Sequence, residues 1–138
     1  MPPILRILET ALYVDDMERA VAFYRDVMGL PVLVAGPRLT ALNAGQGTVL
    51  LLFRRGESAA GVRLPDGGWI APHDGSGPAH FAFAITREEL PAWEAHLAVH
   101  GVEIESRLDW ERGGRSLYFR DPDGHSVELA TPGTWATF

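Results

Sequence analysis

Three residues with metal-binding side chains sit inside alternating apolar stretches. Glu9 lies in Ile7-Leu-Glu-Thr-Ala-Leu-Tyr-Val14, His80 opens His80-Phe-Ala-Phe-Ala-Ile85, and Glu128 lies in Ser126-Val-Glu-Leu-Ala130. Alternation of this kind predicts strands whose successive side chains point to opposite faces. If Leu8, Thr10, Leu12 and Val14 turn toward a helix, Glu9, Ala11 and Tyr13 turn away from it. The same reading puts His80, Ala82 and Ala84 opposite Phe81, Phe83 and Ile85, and puts Ser126, Glu128 and Ala130 opposite Val127 and Leu129. A carboxylate flanked by Leu8 and Thr10, or by Val127 and Leu129, is costly to desolvate unless a cation meets it. Two carboxylates and a neutral imidazole carry two negative charges, which a divalent ion offsets while keeping about three octahedral positions for water and substrate. The alternation equally suits edge or solvent-facing residues with no ion, so spacing alone leaves both readings open.

Other candidates are weaker. Tyr118 and Ser116 share a strand face with Arg120, and a phenol beside a metal can donate a proton or hydrogen-bond an oxyanion. Tyr118 also fits as a plain aromatic wall. His96 and His100 are four apart on a helix but lack the carboxylate of a metalloprotease motif. His125 reads as structural, and Trp69 and Trp110 either close over a ligand or pack on their own loops. The sequence has no cysteine. That excludes thiolate zinc sites, disulfides and a cysteine nucleophile, so any metal rests on His, Asp, Glu or amide groups, with Mn, Ni, Mg, Zn or Fe all compatible. No Ser-His-Asp arrangement, P-loop or dinucleotide fingerprint is present.

The elements that must carry these residues form a repeat. Asp15 with Glu18 makes a capping-box signature, followed at helical spacing by Met17, Ala20, Val21, Tyr24, Val27 and Met28, with Gly29 as the stop. In the second half, Thr86 with Glu89 repeats the box, Leu90, Trp93 and Leu97 give the buried stripe, and Gly101 ends the helix. Three strand candidates follow each helix: 32–35, 39–43 and 48–54, then 102–108, 116–120 and 126–130. Asn43-Ala-Gly45 and Asp121-Pro-Asp-Gly124 supply the turns. The expected fold is α+β, two βαβββ modules (about 4–55 and 79–133) forming a curved mixed sheet around a cleft, within one domain. By the repeat, Glu9 matches His80, and the counterpart of Glu128 falls near Leu50 or Leu51. The Gly- and Pro-rich segment 56–78 joins the modules and is long enough to read as a lid.

With 138 residues and a formal net charge of −6, and no basic cluster longer than Arg54-Arg55, a nucleic-acid partner is not expected. No apolar run reaches membrane-span length and no signal-peptide layout opens the chain, so a cytoplasmic location is expected.

The stretch Glu9-Thr-Ala-Leu-Tyr-Val-Asp-Asp-Met-Glu-Arg-Ala-Val-Ala-Phe-Tyr24 with Met28-Gly-Leu30 resembles the opening of the vicinal-oxygen-chelate superfamily, the glyoxalase, bleomycin-resistance and extradiol-dioxygenase group. Gly77-Pro-Ala-His-Phe-Ala-Phe83 resembles its second ligand segment, and Leu117-Tyr-Phe-Arg-Asp-Pro-Asp-Gly-His-Ser-Val-Glu-Leu129 its C-terminal signature. The resemblance covers nearly the whole chain. It implies a divalent metal on Glu9, His80 and Glu128, a small-molecule substrate with two adjacent oxygens, Lewis-acid chemistry of lyase, isomerase or transferase type with Glu9 and Tyr118 moving protons, and a homodimer whose sites are shared between subunits.

Departures bear on the activity. Glu replaces His at position 9, unlike the two-His, one-carboxylate iron triad of a ring-cleaving dioxygenase. Leu50 to Leu52 are apolar where glyoxalase I carries a further Glu. Ala11 stands where the fosfomycin thiol transferases, which share the pattern of Ser116 to His125, use Thr. A ring-cleaving dioxygenase and a metal-free ligand-binding protein of bleomycin-resistance type remain the alternatives.

Overall fold

The computed structural model describes all 138 residues. The chain divides into two compact units, Met1–Ser76 and Gly77–Phe138. No helix is long and apolar enough to cross a membrane.

In the first unit, β1 (Glu9–Val14) leads to α1 (Met17–Ala22), which continues through a π-helical turn, Phe23–Val27. Strands β2 (Val32–Val34), β3 (Leu39–Asn43) and β4 (Val49–Arg54) follow, in the sheet order β1-β4-β3-β2. β1 and β4 are parallel; the other pairs are antiparallel. A parallel neighbour needs a crossover, and α1 supplies it. Leu12 and Val14 with Leu50 and Leu52 form the buried face, joined by Ala20, Phe23 and Tyr24.

Some expected boundaries shift. The helix cap is Asp16 rather than Asp15: its carboxylate accepts the Arg19 N–H at 3.1 Å. Asp15 instead ion-pairs with Arg55 at 2.8 Å. Leu8 does not join the core; it is 57% exposed, and β1 begins only at Glu9.

The segment read as a lid carries a short hairpin, β5 (Val62–Arg63) with β6 (Trp69–Ile70), within the first unit. Arg55 donates to the carbonyls of Gly75 (2.6 Å) and Tyr13 (3.1 Å), and the His73 N–H reaches the Ser58 carbonyl at 3.1 Å. These bonds anchor a segment with little apolar core of its own. Trp69 packs on this hairpin, with Arg63 5.3 Å from its ring centroid.

The second unit repeats the plan with β7 (His80–Ala84), α2 (Leu90–Val99), β8 (Ser106–Asp109), β9 (Arg115–Arg120) and β10 (Ser126–Ala130), in the order β7-β10-β9-β8. β7 and β10 are parallel. Only half of the capping box forms at α2: the Glu89 carboxylate accepts from both the Thr86 N–H and its hydroxyl. Leu90 and Leu97 are buried, together with Leu117, Phe119, Val127 and Leu129. β8 starts later than the expected residue 102.

Register settles the internal match. Ala11 pairs with Leu51 in the first unit, and Ala82 pairs with Glu128 in the second. With Glu9 and His80 equivalent, the counterpart of Glu128 is therefore Leu51.

Candidate metal centre

Of the three expected ligands, the second unit brings two together. His80 opens β7 and Glu128 lies mid-way along β10, two residues past Ser126, the register partner of His80 in the parallel pair. His80 Nε2 lies 3.3 Å from Glu128 Oε2. Glu9 opens β1 of the first unit, at the position equivalent to His80 in its own sheet. The structure forms no group of three or more His, Asp or Glu side chains suited to hold an ion.

The two carboxylates sit in different surroundings. Glu128 is 6% exposed, so the desolvation argument applies to it. Glu9 is exposed, so that argument does not apply there.

Glu128 is held by a line of donors. The Ser116 hydroxyl donates to Glu128 Oε1, and Trp110 Nε1–H donates to Ser116 Oγ at 2.7 Å. Trp110 thus serves its own hairpin, tied to the buried carboxylate through Ser116. Tyr118 is directly opposite Glu128 in the β9–β10 register and hydrogen-bonds it. Burial first, then the bond to Glu128 and its charge, raise the Tyr118 pKa above the usual phenol value, with Ser116 acting weakly the other way. A phenol so shifted stays protonated at neutral pH and remains a donor. Arg120 is drawn off to Glu105 at 2.7 Å and takes no part.

The imidazole orientation decides what the pair can hold. His80 Nδ1 lies 3.1 Å from the Ser126 carbonyl oxygen. A carbonyl only accepts, so Nδ1 carries a proton, and in the neutral ring Nε2 would be bare toward Glu128 Oε2. Two lone-pair donors would then face one another at 3.3 Å. Such a pair is stable only with a cation between them, either a proton on the ring or a metal ion, and backbone-anchored Nδ1–H is the usual support of a metal-bound imidazole. The donor set fits a divalent ion.

His125, read as structural, has a positioning role that its sequence context did not show. It is 1% exposed, and its Nδ1 accepts the Ala79 N–H at 2.9 Å. The Ser126 N–H returns to the Ala79 carbonyl at 2.8 Å. The residue before His80 is thereby pinned to β10. Asp121 holds the turn before β10, its carboxylate accepting from the N–H groups of Asp123 (3.0 Å) and His125 (2.8 Å). His96 and His100 lie with tilted rings, centroids 4.3 Å apart, at the C-terminal end of α2, apart from these residues.

Ser116→Ala is expected to weaken divalent-ion affinity by about 10–100-fold, because it frees one carboxylate oxygen from its orienting donor. Competition with a fluorescent chelator measures this. Unchanged affinity would show that Ser116 only fills space.

The family described as Glyoxalase/Bleomycin resistance protein/Dioxygenase superfamily matches residues 6–129. The chain is 30% identical to a metallothiol transferase FosB of Bacillus licheniformis over 129 residues, covering 93% of this chain and 76% of that protein. It is 28% identical to a lactoylglutathione lyase of Haemophilus influenzae, covering 91% of each. A crystal structure of a lactoylglutathione lyase from Agrobacterium tumefaciens superposes with a TM-score of 0.88 at 36% identity, covering 98% of this chain and 99% of that one.

Proposed function

Because the chain belongs to the glyoxalase/bleomycin resistance protein/dioxygenase superfamily, we propose that it is a metal-dependent enzyme acting on a small molecule with two adjacent oxygens, its ion held by Glu9, His80 and Glu128. The observation that carries this reading is the geometry of His80, its Nε2 facing Glu128 Oε2 at 3.3 Å while Nδ1 is committed to a backbone carbonyl. A divalent ion held there supplies Lewis acidity toward the substrate oxygens. Ser116 and Trp110 orient the Glu128 carboxylate, and Tyr118 offers a phenolic proton beside it. Glu9, exposed and not buried in a hydrogen-bond network of its own sheet, is the ligand best suited to take up a proton from substrate and return it.

The thiol transferase and the lyase named above support a reaction class on the Lewis-acid side. The active species is a homodimer in which Glu9 of one subunit completes the His80 and Glu128 pair of its mate; two-fold pairing of half-covered sheets supports this arrangement.

Chelator-stripped protein reloaded with Mn²⁺, Ni²⁺, Mg²⁺, Zn²⁺ or Fe²⁺ is to be assayed with an epoxide plus a thiol, a hemithioacetal, and a catechol under oxygen. Turnover of one of the first two, restored by metal and absent in Glu128→Ala, is the expected result. Ring cleavage with Fe²⁺ alone, or ligand binding without turnover under every metal, contradicts it. Mixing Glu9→Ala with Glu128→Ala subunits tests the sharing: one intact site per heterodimer should restore activity, and no restoration after demonstrated exchange places each site within one chain.

A further inference from the structure

The face of the first sheet that carries Glu9 holds chemistry the metal ligands leave unused. Register pairs Ala11 with Leu51 and Tyr13 with Phe53, and Leu39 also pairs with Phe53. Alternation places all of these on the Glu9 face, opposite the buried Leu12 and Leu52. They line a cavity of about 510 Å³, to which Arg38, Ile70 and His73 add their side chains.

The cavity is apolar along one wall and polar along another. Leu39, Leu51 and Phe53 make the first. On the second, the Tyr13 hydroxyl lies 2.8 Å from His73 Nδ1, and the His73 ring meets Phe53 edge-on at 4.5 Å. Burial, and then the charge of Asp74, hold the Tyr13 phenol protonated above the usual range. Arg38 is half-buried. It donates to the Ser58 hydroxyl at 2.9 Å and its guanidinium carbon stands 5.7 Å from the Phe53 ring centroid. No carboxylate lies within ion-pair distance of it, whereas Arg25, Arg54, Arg55, Arg107, Arg115 and Arg120 each have one. The buried Ser58 also accepts the His73 N–H through its carbonyl, so one residue fixes both polar side chains of this wall. A half-desolvated guanidinium without a counter-charge, at the edge of an apolar cavity, is suited to an anionic group whose remainder is apolar.

We propose that this cavity binds an amphiphilic small anion, its apolar body on Leu39, Leu51 and Phe53, its carboxylate or phosphonate on Arg38, and a further polar group hydrogen-bonded by the Tyr13–His73 pair. Assigning this anion as the substrate rests on the metal-enzyme reading, since Glu9 lines the other end of the same cavity. Binding of the anion itself does not need the metal.

The test uses chelator-treated full-length protein titrated with phenylphosphonate, benzoate and inorganic phosphate, followed by the NMR signals of the arginine Nε–H groups and histidine rings. One or both aromatic anions should saturate, shifting the Arg38 and His73 signals, with inorganic phosphate binding more weakly for want of an apolar body. Arg38→Met should weaken the aromatic anion about 10-fold or more, the scale of a lost charge-assisted hydrogen bond. Arg38→Lys, which keeps the charge, should lose less and guards against a folding defect in the first variant. Arg107→Met, which removes a cation paired with Glu94 on the second unit, should change nothing. Glu128→Ala should bind the anion as the parent does, even if it fails to bind metal, which separates this inference from the metal reading. No saturable binding by the parent up to about 50 mM, undiminished binding in Arg38→Met, or loss of binding in Glu128→Ala overturns the proposal. Preference for phenylphosphonate or for benzoate identifies the anionic group.

Discussion

Glu128→Ala should abolish the thermal stabilisation that divalent ions give the parent protein. A ligand that binds only the folded state stabilises it by about 2.7 kcal/mol at a hundredfold excess over its dissociation constant, so metal bound by the parent is visible as a raised melting temperature. Removing a direct ligand should weaken affinity by about 100-fold or more, at or beyond the range for losing an outer partner of a ligand. At the same metal concentration the variant then gains almost nothing. The metal-free variant should also be less stable than the metal-free parent, because Ser116 and Tyr118 lose the acceptor they share and Glu128 is only 6% exposed. The cost of a buried group left unsatisfied is about 1–3 kcal/mol. Melting curves with and without Mn²⁺ measure both effects. An equal metal-induced shift in parent and variant would remove Glu128 from the site.

The largest stability effect is expected from Leu52→Ala. Leu52 is fully buried in the central strand β4, paired with Leu12 on one side and Thr40 on the other. Truncation removes transfer energy and leaves a cavity between sheet and helix, at a cost of about 2–5 kcal/mol. The neighbouring Leu51 points to the opposite, cavity-lining face and is only half-buried. Leu51→Ala should therefore cost about 1 kcal/mol or less by the area it buries, while changing binding in that cavity. Urea unfolding followed by circular dichroism compares the two. Similar losses would mean that the two faces of the sheet are packed alike, contrary to the alternation.

Much of this is legible in the sequence itself. The strands 39–43 and 126–130 have the bounds that alternation and flanking turns predict, because a half-buried strand imposes a period of two on its side chains. The same rule sets Glu9, Ala11 and Tyr13 opposite Leu12 and Val14 in β1, and Glu128 opposite Val127 and Leu129 in β10. It left the counterpart of Glu128 between Leu50 and Leu51; only the register of the parallel pair selects Leu51. Local competition was harder to read. Asp15 and Asp16 are both good caps by type, and the choice of Asp16 goes with the Asp15–Arg55 ion pair, a contact forty residues away in sequence.

The loop residues were the least legible. Strands of two residues such as β5 and β6 are too short to show a period, and side chains on irregular backbone have no alternation to set their direction. Arg38 and His73 went unnoticed for that reason. A sequence signal did exist for one of them: Arg38 immediately precedes the apolar strand Leu39–Asn43, with no acidic residue nearby in sequence to neutralise it. His125 was visible only as part of a turn motif, since its role depends on an N–H from Ala79, 46 residues earlier.

The central claim is that Glu9, His80 and Glu128 act on one ion although they arise from two sequence repeats. Calorimetric titration of the chelator-stripped protein with Mn²⁺, Ni²⁺, Mg²⁺, Zn²⁺ and Fe²⁺ tests it most directly. The account predicts about one ion per chain, with affinity lost in Glu128→Ala and His80→Ala and sharply reduced in Glu9→Ala. Binding of none of the five ions, or a Glu9→Ala protein that binds as tightly as the parent, would contradict it.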